Sequence, residues 1–117
     1  WVQFNTAATG AARVLSVITA TSVATGNPLV VGVCIGSAET DGSLTTGSKV
    51  FVVTSGYVEG AKVDNGVAGP GVALVVDNTG AGIANALVAA DTAAPCGVSL
   101  EPAAGGLCDV WVFSQFA

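Results

Sequence analysis

The sequence predicts an all-β fold: a small single-domain β-barrel or sandwich of about seven or eight short strands, with an extended N-terminal arm. Composition is the first reason. The 117 residues include twenty Val, twenty Ala, sixteen Gly and nineteen Ser or Thr, and only 9 % are charged. Small and β-branched residues favour pleated strands, and good helix formers such as Lys, Glu, Gln, Arg and Met are scarce or absent. Punctuation is the second reason. Turn signals recur along the chain at Gly26-Asn27-Pro28, Asp41-Gly42, Gly47-Ser48, Ser55-Gly56, Glu59-Gly60, Asn65-Gly66, Gly69-Pro70-Gly71, Asp77-Asn78-Thr79-Gly80, Ala94-Pro95 and Glu101 to Gly106. Each offers a residue that tolerates positive φ or presets a bend. The third is that short aliphatic runs of strand length fill the gaps between these signals.

In chain order, residues 1–12 read as an extended arm, and residues 1–25 as that arm plus a first strand. Residues 26–117 form the β-domain. Strand-like runs follow at 13–19, 29–35, 49–53, 72–76, 85–88, 96–100 and 107–113. The Ala-rich stretch 82–90 has some helical character, but Asn85 and its β-branched neighbours weaken it. Two local patterns repeat. Gly and turn residues precede an aliphatic run at Gly26, Gly47 and Gly69, and Val31 to Ile35 is echoed by Cys96 to Leu100. Either a β-meander reuses its turn chemistry or two related halves surround one barrel.

The last run is the most informative. Period-two alternation puts Cys108, Val110 and Val112 on one face and Asp109, Trp111 and Phe113 on the other. An acid beside two large aromatics suits neither a core nor a solvent face. Either Trp111 lies flat over a barrel end, or Trp111 and Phe113, with Phe116, Trp1 and Phe4, anchor a partner. Aromatics near the termini with few charges around them suit an interface centre.

Several function classes fall away. Without histidine there is no Ser-His-Asp or Cys-His pair and no His-ligated metal. Three basic residues, Arg13, Lys49 and Lys62, cannot neutralise a run of phosphates, so no nucleic-acid partner is expected. No apolar run reaches the roughly 18 residues of a membrane-spanning helix, so no membrane partner is expected. Cys34, Cys96 and Cys108 fit no zinc spacing; three separate buried thiols are favoured over one disulfide plus a free thiol. The chain starts at Trp1 without a Met, and the expectation is a segment trimmed or missing there.

The eight acids are scattered, mostly in turns, where a carboxylate accepts local backbone hydrogen bonds. The run Leu74 to Ala81 resembles the Asp-Thr-Gly turn of retroviral-type aspartic proteases, but Asn78 interrupts it between Asp77 and Thr79. Asp91-Thr92 is followed by Ala93 where that turn needs Gly. Asp64-Asn65-Gly66 and Asp77-Asn78 carry oxygen ligands without the spacing of a calcium loop. No catalytic residue, metal or cofactor is expected, and the chain is read as a non-enzyme.

So small and weakly charged a domain has to expose Ser, Thr, Gly, Ala and Val widely, which monomers rarely tolerate. An assembly component is the physical expectation. The motifs Gly26-Asn27-Pro28-Leu29-Val30-Val31-Gly32-Val33, Gly47-Ser48-Lys49-Val50-Phe51-Val52 and Cys96-Gly97-Val98-Ser99-Leu100-Glu101-Pro102-Ala103-Ala104-Gly105-Gly106-Leu107 add to it. They resemble the small capsid decoration (cement) proteins of tailed bacteriophages, over about Gly26 to Phe113. Three Cys, the Gly69-Pro70-Gly71 segment and the first 25 residues depart from that pattern.

The resemblance implies a structural virion protein on the outer capsid surface. It would bind the major capsid protein, often as a homotrimer, and stabilise the expanded shell by bridging coat subunits. A net charge of −5 independently suits a position away from packaged DNA. The alternative is another structural β-protein, either a spike or fibre subunit or a secreted adhesin-like domain.

Overall fold

The computed structural model describes residues 1–12 and 16–116. Its described elements are nine strands: β1 (Val2–Phe4), β2 (Val17–Thr19), β3 (Val30–Ser37), β4 (Val50–Val53), β5 (Ser55–Lys62), β6 (Ala73–Val75), β7 (Asn85–Ala86), β8 (Gly97–Ser99) and β9 (Leu107–Phe113). They form two antiparallel sheets, ordered β2-β1-β3-β4 and β5-β9-β8-β6-β7. The fold is all-β, as the sequence predicts. The two sheets pack as a sandwich and do not close into a barrel. The chain crosses between sheets at Thr54, whose carbonyl accepts the Ser114 amide at 3.0 Å. A parallel bridge between Val63 and Ala84 draws the two edges of the second sheet together at one end.

Two strands went unforeseen, and both bear on the site. The first is β1, where residues 2–4 pair with β2 on one side and β3 on the other, so this stretch is no free arm. Gln3 is the reason it can lie inside. Its side-chain carbonyl accepts the Thr21 amide at 2.7 Å, the Thr21 hydroxyl at 3.0 Å and the Asn27 side-chain amide at 2.7 Å. A buried polar side chain so satisfied loses little on leaving water. The second is β5, which runs straight through the expected turns at Ser55-Gly56 and Glu59-Gly60. Gly60 sits at positive φ in a bulge where β5 slips against β9 between Val58 and Ala61. The expected strand at 13–19 survives as β2; its first three residues, and Arg13 with them, lie outside the described residues.

The core is built mainly from valine, chiefly of the second sheet with Val30 and Val33 of the first, and Leu74, Val110, Val112 and Cys108 are inaccessible to solvent. The three thiols are free, Cys96 and Cys108 buried and Cys34 half-buried. Burial pushes the Cys96 thiol up to about 12. Four acids do what turn acids do. Asp41 accepts from the Ser43 amide, Asp64 from Gly66, Asp77 from Thr79 and Asp91 from Val88. Among the described residues no helix is long and apolar enough to cross a membrane.

Candidate functional site

The alternation expected of the last strand is what the structure contains. Cys108, Val110 and Val112 point into the core, while Leu107, Trp111 and Phe113 are exposed on the outer side of the second sheet. Cross-strand register turns this into a surface. Trp111 lies opposite Tyr57 of β5 and opposite Val98 of β8, giving one outward row across three strands. Tyr57 is 52 % exposed, Trp111 48 % and Phe113 37 %. Leu107 to Phe113 spans about 20 Å at the usual strand rise.

Acidic groups border this row. The Tyr57 hydroxyl donates to Asp109 Oδ2 at 2.8 Å, and Asp109 Oδ1 accepts the Gly60 amide of the bulge at 3.0 Å. Glu101 Oε1 in turn accepts the Asp109 amide at 3.0 Å. The hydrogen bond to Asp109, followed by desolvation and the charges of Asp109, Glu59 and Glu101, pushes the Tyr57 phenol up to about 12. Asp109 thus has a definite task on this face: it fixes the tyrosine ring and pins the bulge.

The other expected anchors divide. Phe4 and Phe116 meet edge to face with centroids 4.9 Å apart. They line a cleft of about 300 Å³ with Val17, Val31, Val52, Thr54 and Ser114. The Gln115 side-chain amide donates to the Pro28 carbonyl and holds this tail in place. An adjoining groove of about 1130 Å³ shares Val17 and Val52, and Val2, Cys34, Leu44 and Val50 also line it.

Trp1 requires a correction. It is 6 % exposed, its indole nitrogen donates to the Lys62 carbonyl at 3.0 Å, and its ring packs on Gly97. A Cβ at Gly97 would lie 2.9 Å from Trp1 Cη2 and 3.0 Å from the Trp111 carbonyl oxygen. Trp1 therefore anchors the chain's own core and is removed from the partner-facing set.

Tyr57 is not among the residues the sequence singles out, because Ser55-Gly56 and Glu59-Gly60 read as turns on either side of it. The available signal was Tyr57 and Glu59 alternating with Val58, which Gly56 and Gly60 obscured.

Asp77, the residue singled out by the protease-like run, is 4 % exposed. Its Oδ1 accepts the Thr79 amide at 2.9 Å and the Thr79 hydroxyl at 2.7 Å, and its Oδ2 accepts the Asn85 side-chain amide at 3.2 Å. Those bonds tie a turn to β7. Among the described residues no group of three or more His, Cys, Asp or Glu could hold a metal ion.

The fold and this face together describe an antiparallel β-sandwich with an exposed aromatic row on one sheet. No family model, curated protein or solved structure matches the chain.

Proposed function

We propose that the chain is a structural virion protein: a decoration protein that binds the outer surface of a tailed-phage capsid and stabilises the expanded shell by bridging subunits of the major capsid protein. The observation that carries this reading is the Tyr57–Trp111–Phe113 face. Exposed Trp and Tyr on a hydrogen-bonded sheet are the residue types that dominate binding energy at protein interfaces. The second support is breadth. Twelve large hydrophobic side chains are exposed among the described residues of a chain that is 9 % charged. Monomers rarely carry that much unshielded apolar surface.

Bridging needs two sticky surfaces, and the aromatic face and the cleft that Phe4 and Phe116 line supply two. The aromatic row covers about 200 Å² by strand spacing and rise, a fraction of the roughly 800 Å² that each partner contributes to a stable interface. It is therefore the centre of a larger footprint. The net charge of −5 supports an outer position, since packaged DNA repels it.

Light scattering over a hundredfold concentration range tests the assembly reading. A stable trimer supports it. A monomer at every concentration supports the adhesin-like alternative, for which the exposed rings of Tyr57 and Trp111 would be a sugar-stacking platform.

A further inference from the structure

We propose that the outer face of the second sheet docks a protein segment presenting arginine side chains around an apolar contact. This deepens the reading of that face as a protein interface and rests on it. The centre of the face is apolar and aromatic: Tyr57, Trp111 and Val98 in one row, with Phe113 beyond. Its border is acidic. Asp109 and Glu101 are fixed there by hydrogen bonds, and Glu59 stands in the bulge that Asp109 pins. Against these three carboxylates the same outer side carries one basic residue on these strands, Lys62, opposite Leu107 and two positions along β9 from Asp109.

A face so charged selects its partner by sign. A second copy docking through the same face would set six carboxylates around one contact, and like charges brought together across an interface reject the pairing. The occupant is therefore a different surface, and a cationic one. Arginine fits better than lysine on two counts. Its planar guanidinium lies flat on an indole, and its fork of donors matches a carboxylate, whereas an ammonium is a compact, strongly hydrated point charge. Trp111 and Glu101 offer these two partners on one surface. An arginine segment laid across β9 could stack on the first while pairing with the second.

The test uses the full chain, isotopically labelled, and three blocked pentapeptides that alternate valine with arginine, with lysine or with glutamate. The arginine peptide is expected to shift the backbone signals of Tyr57, Trp111 and Glu101 and the Trp111 indole N–H, and to bind more tightly than the lysine peptide. The glutamate peptide is expected to leave them in place. Exposed ion pairs are individually weak, so the Glu59→Gln, Glu101→Gln double variant should bind the arginine peptide about 2-fold to 30-fold more weakly. Raising the salt to about 1 M, where screening acts within about 3 Å, should weaken it similarly.

Equal shifts from the glutamate peptide overturn the proposal, as does absence of any shift at about 1 mM arginine peptide. So does a neutral oligosaccharide that moves the Trp111 signals without salt dependence. Capsid occupancy separates the two levels of failure. If Trp111→Ala occupies shells normally, the reading of the face is wrong. If Trp111→Ala loses occupancy while the Gln double variant keeps it in full, only the charge argument falls.

Discussion

Tyr57 is the one tyrosine in the chain, so its ionisation can be followed without assignment. Its hydroxyl donates to Asp109 at 2.8 Å, and that bond, together with desolvation and the surrounding carboxylates, raises its pKa from 10.0 to about 12. At about pH 11 a phenol with the ordinary value is about nine-tenths ionised, and one raised to about 12 is about one-tenth ionised. The perturbation is Asp109→Asn, which keeps the shape and an acceptor oxygen but removes the charge. The assay is ultraviolet titration of the phenolate band in native protein, in the variant and in denaturant. Native protein should titrate near 12, and the variant and the unfolded chain should both fall back towards 10.0.

The linkage has a definite sign. Between pH 10.0 and about 12 the folded chain binds more protons at Tyr57 than the unfolded chain does. The contribution to stability is complete below that window and is lost as pH rises through it. A native midpoint at the unfolded value, or an Asp109→Asn variant that titrates like its parent, would refute the arrangement that builds the aromatic face.

Three further outcomes follow from the packing. In Gly32→Ala, the new Cβ would stand 2.0 Å from the Val53 carbonyl oxygen, so β3 and β4 must separate; thermal unfolding should show a loss of about 3 kcal/mol, with Tm lower by about 10 °C. In Asp77→Ala, Thr79 and Asn85 lose their acceptor, which should lower stability in denaturant unfolding by about 1–3 kcal/mol and leave self-association unchanged. Half-buried Cys34 should react first with a chromogenic disulfide reagent, whereas Cys96 and Cys108 should react only at the rate of global opening; rapid reaction of all three in native protein would contradict the burial described.

What the sequence made legible follows from where the information lies. β9 could be read down to the side each residue faces because period-two alternation is local, and Val110 and Val112 obey it without interruption. The seven strand-like runs all correspond to described strands, in whole or in part. The two strands that were missed depend on partners far away in the chain. β1 carries Gln3 at its centre, which looks like surface until Thr21 and Asn27 arrive to satisfy it. β5 carries Gly56 and Gly60, which look like turns until Asp109 caps the bulge from across the sheet.

The site shows the same division. Trp111 and Phe113 could be placed on an exposed face from spacing alone. Tyr57 is joined to them by register, which a single sequence does not display. Trp1 reads as outward because it is an aromatic near a terminus with few charges around it, yet the space above Gly97 takes it inward.

The central claim is that the Trp111 face binds a capsid surface, and co-sedimentation with expanded phage shells tests it most directly. Truncating a central interface tryptophan typically removes about 2–4 kcal/mol, or about 30-fold to 1,000-fold in affinity. Wild-type protein should pellet with the shells, while Trp111→Ala, folded and with its outward side chain removed, should stay in the supernatant. Wild-type protein that never pellets, or a variant that pellets equally well, would contradict the account.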